Sequence, residues 1–398
     1  MTFKLKTSLL ATAVSAALIL PAMSAHAGGT ISFGEDKSVS VGFGMRAGYS
    51  SVENAAADGG RSNDFSLDSA RLYLSGSFNK YIKGMLNTEK SGGGAGGNWE
   101  IIDANVQLQL TPEIAIWAGR FLSPSDRANM AGPYYSMGGG YWANIASRYG
   151  WNGGIIGRDE GVALVGSAMD NKIGYSFGVF EGANIFRFSG VNAQSQTSDA
   201  AKVSGAGDSL MYAGRLQVDF WDAEPGYYGT GNYFGAADIL AIGIAGRQKS
   251  DGAISTTGNP TATPAVPVTA ANSKTGDYSS YSVDFLLEKK DVGPGTASLE
   301  AAYYNYDTSD VFLEEQGNAY SVGAAYLFNQ PVGWGKFMPF VRYQTFKPDT
   351  SIDVQKYEIG TNYVIAPYNA LITAAYSDTK KDGANSVNAF NVSMQFQF

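Results

Sequence analysis

Apolar and polar residues take alternate places along nearly the whole of this chain, in short runs separated by turn residues. The last segment is the clearest: Phe390, Val392, Met394, Phe396 and Phe398 alternate with Asn391, Ser393, Gln395 and Gln397. A period of two is that of a β-strand whose two faces meet different surroundings. The same alternation sets Val39, Val41, Phe43 and Met45 against Ser40, Gly42, Gly44 and Arg46. It recurs with Tyr281, Val283, Phe285 and Leu287 against Ser282, Asp284 and Glu288, and with Tyr357, Ile359, Tyr363 and Ile365 against Lys356, Glu358 and Asn362. A soluble sandwich also alternates, but the number and length of these runs point to one closed sheet. The expected fold is all-β: a transmembrane antiparallel barrel of about sixteen strands, between 38–50 at one end and 386–398 at the other.

Composition agrees. Of 398 residues 50 are Gly, 24 Tyr and 21 Phe, while only 16% are charged, which suits twisted strands with aromatic girdles. The chain opens with Lys4 and Lys6, an apolar run from Leu9 to Leu20, Pro21, and then Ala25-His26-Ala27. This is the pattern of a secretory signal peptide, so residues 1–27 are expected to be removed and 28–398 to form the barrel. The apolar run is short for a membrane-crossing helix, and an N-terminal anchor is the alternative. Export of a barrel of this kind implies the outer membrane of a Gram-negative bacterium, with its lipid as the surrounding partner.

What is missing excludes chemistry. There is no Cys, and the single His lies in the expected signal peptide. Thiolate or His-based metal sites and Ser-His-Asp or Cys-His catalysis are therefore out of reach, and neither an enzyme nor a cofactor is expected. Without Lys4 and Lys6 the net charge falls from −8 to −10, which argues against nucleic acid as a partner. The glycine run 92–97 lacks the Lys-Ser/Thr of a phosphate loop, and Asp378–Gly383 lacks the ligand series of a calcium loop.

Connection lengths give the orientation. If the first strand rises from the periplasm, the junctions at Asn79-Lys80, Thr111-Pro112, Asp170-Asn171 and Ala366-Pro367 are short inner turns, as barrels require. The connections 51–64, 90–98, 123–159, 182–208, 248–277 and 378–385 are then outer loops, with polar 248–277 expected to be mobile. One junction breaks the rule: 221–236 (WDAEPGYYGTGNYFGA) is long for an inner turn and could hide an error of register.

The longest loop, 123–159, is the third on the outside and is rich in Gly, aromatics and Arg. Sixteen-stranded barrels generally fold such a loop into the lumen as a constriction, and that is expected here. A loop lying outward over the surface is the alternative. Its candidate constriction residues are Asp126, Arg127, Tyr134, Arg148 and Arg158. Alternation turns Arg46, Arg71, Lys83, Arg120, Lys172, Arg215, Arg247, Arg342 and Lys356 toward the lumen, together with Glu89, Asp103, Asp219, Asp284, Glu288, Glu300 and Glu358. A cation facing lipid at mid-depth would cost about 2–4 kcal/mol, which supports that assignment. Two readings follow: a mixed-charge lumen that orders water, or an arginine-lined path for anions.

Several stretches resemble the phosphate-selective porin O and P family. They are Phe65-Ser-Leu-Asp-Ser-Ala-Arg71-Leu-Tyr-Leu-Ser-Gly76, Ala118-Gly-Arg120-Phe-Leu-Ser-Pro124, Asp159-Glu-Gly161-Val-Ala-Leu-Val-Gly166 and Tyr175-Ser-Phe-Gly-Val-Phe-Glu-Gly182. All lie in the N-terminal half. The resemblance implies a sixteen-stranded barrel, usually a homotrimer, with the third loop inside and arginines along the path. Phosphate-binding members carry paired arginines and a lysine cluster, whereas here Ser69-Ala70 precede a single Arg71. The function expected is passive diffusion of small hydrophilic solutes, with anions favoured. The alternative is a structural or partner-binding barrel whose lumen another protein occupies.

Overall fold

A computed structural model describes residues 28–398, apart from 91–97, 141–144, 149–156, 183, 189–190, 196–203, 225, 259–263 and 351. The expected signal peptide, the glycine run 92–97 and parts of loop 123–159 lie outside the described residues. Sixteen strands close into one antiparallel ring. They are β2 (Lys37–Val52), β3 (Ser62–Ser77), β4 (Ile82–Lys90), β5 (Trp99–Thr111), β6 (Ile114–Leu122), β7 (Arg158–Ala168), β8 (Ile173–Phe180) and β11 (Met211–Asp219). The ring continues through β12 (Ile239–Thr256), β13 (Ser273–Val292), β14 (Gly295–Asp307), β15 (Gly317–Phe328), β16 (Lys336–Pro348), β17 (Val354–Ala366), β18 (Ala370–Lys381) and β19 (Val387–Gln397). Neighbours in this order pair throughout, and β19 returns to β2 through Gln395 opposite Arg46. Phe398 finishes the seam: its N–H donates to the Phe43 carbonyl at 3.0 Å, and its own carbonyl accepts from the Phe43 N–H at 2.9 Å. A closed ring leaves no edge for another chain to extend, and it satisfies the backbone polar groups within the bilayer.

The polarity of the barrel is the inverse of a soluble domain. Val41, Leu86, Val106, Leu164, Phe177, Ile244, Val283, Val322, Val341 and Ile359 are exposed on its outside, while Arg46, Arg71, Glu89, Asp103, Asp284, Glu300 and Arg342 are buried within. Aromatic side chains band the outer surface at two levels. Toward the loop end, Tyr281, Tyr303 and Tyr320 are spaced 6.0 and 5.2 Å apart, and Tyr343 and Tyr357 pack at 4.8 Å. Toward the turn end stand Tyr326 with Phe328, Phe337 with Tyr363, and Phe396 with Phe398. On β15 Tyr320 and Phe328 are eight residues apart, about 27 Å along a strand. With the roughly 35–45° tilt of barrel strands this spans about 20 Å along the membrane normal, near the ~25 Å apolar band that lipid requires.

Four features depart from the sequence reading. Residues Gly29–Gly34 form β1, a hairpin that covers β2 from Lys37 to Val41, beyond the last residue that β19 reaches. The region expected as mobile loop 248–277 is in large part ladder, because β12 and β13 run on past a bulge to pair Ala253 with Gly276 and Thr256 with Ser273. Beyond the bilayer a hairpin needs backbone partners but no alternation, so its Ser- and Thr-rich sequence carried no strand signal. A further hairpin, β9 (Asn184–Phe188) and β10 (Val191–Ser195), stands in the loop after β8, and β9 adds in parallel to β12. Finally, β11 and β12 pair without a shift from Met211–Lys249 to Asp219–Ala241. The length of 221–236 is therefore real and no register error lies there.

Candidate functional site: the barrel interior

Two chain segments lie against the inner wall. The first follows β6. Pro124 has no N–H to extend the ladder, and the Asp126 carboxylate caps a single turn of helix, α1 (Arg127–Ala131), by accepting from the Asn129 N–H at 3.1 Å. The segment then crosses to strands far from its origin. Arg215 of β11 donates to the Ser125 carbonyl at 3.0 Å, Arg247 of β12 to Pro124 at 3.2 Å, and Arg46 of β2 to Pro133 at 2.9 Å. Asn362 of β17 donates to Met137 at 2.8 Å and Gln395 of β19 to Tyr134 at 3.0 Å. Gly138, Gly139 and Gly140 run so close to the wall that a Cβ would meet Arg342 at 2.6 Å, Thr373 at 2.4 Å and Arg46 at 2.8 Å, respectively. Positive φ of 69° and 76° at Gly139 and Gly140 adds a conformational demand for glycine.

The five loop candidates each find partners. Asp126 also accepts from the Ser147 and Tyr304 hydroxyls at 2.9 and 3.3 Å. The Arg127 guanidinium forks onto Glu224 at 2.7 and 2.6 Å, while its backbone N–H donates to Asp284 at 3.0 Å. Burial alone would pull the Arg127 guanidinium down, but Glu224 beside it holds it above its ordinary value. The Tyr134 hydroxyl bonds with Ser69 at 2.9 Å, and Arg71 lies 5.4 Å from the centre of its ring. Arg148 pairs with Glu315 and stacks over Phe346 at 4.6 Å. Arg158 opens β7 and pairs with Asp103 at 3.4 Å.

Of the wall candidates, Arg46, Arg71, Arg215, Arg247, Arg342 and Lys356 stand on the inner register. Arg71 pairs with Glu89, Arg215 with Asp284 at 2.6 Å, and Arg342 with Glu358 at 2.7 Å. Lys356 lies opposite Gln344. Lys83 sits at the start of β4, exposed at the turn end, and Lys172 belongs to the turn between β7 and β8. Arg120 is a correction. Trp117 and Phe121 of the same strand are buried among lumen residues, so Arg120 shares the outward register of Ala118 and pairs with Glu160 near the loop end. Strand β6 is apolar on both faces, because Ala115, Trp117 and Phe121 point in while Ile114, Ile116 and Ala118 point out. Alternation could not tell its sides apart.

The second segment is the anomalous turn, 221–236, which stood out in the sequence by its length alone. Its residues Thr230, Asn232 and Tyr233 are buried inside the barrel. Between it, the first segment and the wall of β3 to β7 lies a small open space, lined by Arg71, Asn87, Asp103, Arg158, Tyr135 and Tyr228, among others. Burial and the Asp103 carboxylate push the Tyr228 hydroxyl well above its usual value, so it stays a neutral donor to Asp103 at 3.3 Å.

No family model matches the chain, and no curated protein matches it in sequence. Solved structures do match in fold. An anion-selective porin from Comamonas acidovorans is similar over 91% of this chain and 100% of its own, with TM-score 0.57 and 14% identity. OprB of Pseudomonas putida covers 90% of this chain and 94% of its own, with TM-score 0.62 and 10% identity. A trimer form of the outer-membrane protein OmpT from Vibrio cholerae covers 92% and 100%, with TM-score 0.56 and 14% identity. With its closed sixteen-stranded ring, aromatic belts and charged interior, the chain has the fold of the outer-membrane porins.

Proposed function

We propose that this protein is a passive outer-membrane channel for small hydrophilic solutes, and that it favours anions. The observation that carries the reading is the inversion of the barrel, apolar outside and charged within, with an open space left beside the arginine-bearing wall. Arg71 and Arg158 border that space and offer planar forks suited to oxyanions, while Glu89 and Asp103 hold them in place. Paired cations make a weak field, so the preference is modest and directed by geometry more than by net charge. The segment 123–148 is the constriction loop, and Arg46, Arg215 and Arg247 serve chiefly to hold it. The resemblance to an outer-membrane protein solved in a trimer form supports a homotrimer, and removal of 1–27 fits export. Diffusion through such a barrel asks for no catalysis.

Bilayer recordings in a salt gradient test this. The expected reversal potential shows anion preference, and Arg158→Ala lowers it. Cation preference unchanged by Arg158→Ala would refute the anion claim. The amount of chain inside the barrel favours one second reading, a plugged barrel that serves as a structural or docking protein, for which the purified oligomer would conduct almost nothing.

A further inference from the structure

The inner turn between β11 and β12 carries an inference that rests on the channel reading. The ladder on both sides of it continues to the rim, where Phe220 donates to Leu240 at 2.8 Å and Asp222 to Asp238 at 2.9 Å. The residues between leave from the turn end of the barrel, yet they do not stay there. The Tyr227 hydroxyl donates at 2.5 Å to the carbonyl of Leu122, the last residue of β6 before the outer loop, and its ring packs on Trp117 at 4.8 Å. The outer loop comes down as far as this turn goes up. Tyr135 packs at 4.9 Å on Tyr368, which lies in the turn between β17 and β18, and the Gln397 side chain donates to the Tyr135 hydroxyl at 3.0 Å.

The two segments pass each other within the lumen and are joined where they meet. Gly231 donates through its backbone to the Tyr135 carbonyl at 2.8 Å, and Arg127 grips both oxygens of Glu224. Arg127 and Glu224 side chains are 1% and 5% exposed, so the pair is held away from bulk water, where such a contact is hardest to break. A bond of this kind between an outer loop and an inner turn does nothing for the closure of the barrel, which its backbone ladder already secures.

We infer that the inner turn, residues 223–237, is the second half of the constriction. It fixes the outer loop through Glu224 and Arg127, and it confines solutes to the side of the lumen lined by β3 to β7. The selectivity of the channel is then set from both ends of the barrel.

Single-channel recording of the full-length oligomer tests this with two variants. In the first, residues 223–237 are replaced by Asn-Gly, the pair that best closes a two-residue hairpin between β11 and β12. Conductance is expected to rise by about twofold or more as the bore widens. In the second, Gly229→Cys adds a thiol to a chain that has none, at a position bordering the open space where a Cβ finds its nearest atom 3.5 Å away. Treatment with a cationic methanethiosulfonate is expected to cut its conductance by about half or more and to leave the wild type unaffected. If the wild type conducts and neither manipulation changes it, the inference is overturned while the channel reading stands. If the wild type is silent and the shortened variant conducts, the turn is a complete plug, and the channel reading falls together with the inference that the turn only narrows the path. If neither ever conducts, both the channel reading and the inference fall.

Discussion

The two segments inside the barrel are held by opposite chemistry. The outer loop is gripped through its carbonyl oxygens by wall cations and amides: Arg46, Arg215, Arg247, Asn362 and Gln395 all donate to its backbone. The inner turn is held the other way round, by wall acids that accept from it. Glu288 takes the N–H groups of Tyr233 and Gly235 at 2.8 and 2.6 Å, Asp219 takes that of Glu224 at 2.7 Å, and Asp103 takes the Tyr228 hydroxyl. The mixed charge of the lumen is therefore sorted by task. Its cations anchor the outer loop, its anions other than Asp284 anchor the inner turn, and Arg127–Glu224 joins the two.

That contrast can be broken at its junction with the largest effect. Asp284 accepts from both terminal nitrogens of Arg215 and from the Arg127 backbone, so Asp284→Ala strands the buried Arg215 guanidinium and takes the acceptor from the Arg127 N–H. A loss of about 3–5 kcal/mol is expected, read from urea unfolding in lipid vesicles. Glu288→Ala strips the turn of two backbone acceptors at a cost of about 1–3 kcal/mol. Hydrogen exchange should then rise at Tyr233 and Gly235 and stay unchanged at Ser136 and Met137. Equal loosening of both segments would mean that they move as one. Arg46→Ala makes the converse test, with about 1 kcal/mol lost and faster exchange around Gly139 and Gly140 alone. Least of all is expected from Arg120→Ala. On the outer face it should leave ion selectivity as it was, and a shift in reversal potential would return Arg120 to the lumen.

The barrel itself was legible because lipid imposes a strict period of two on strands such as β17 and β19, and because turns and loops differ in length. Lumen charges were legible by the same parity. It failed at Arg120, since a strand packed against chain on its inner side is apolar on both faces and loses its signal. The turn 221–236 stood out by length alone. Its Tyr227, Tyr228, Tyr233 and Phe234 resemble girdle aromatics in composition, and only tertiary contact shows them turned inward. Partners such as Glu224 for Arg127, 97 residues apart, follow from no local pattern.

A channel of this kind must let water and solutes pass its crowded lumen. Reconstitution of the purified oligomer in planar bilayers under a tenfold gradient of potassium chloride tests it most directly. Discrete conductance steps are expected, with a reversal potential displaced modestly toward that of chloride. A membrane that stays silent after demonstrated insertion would contradict it.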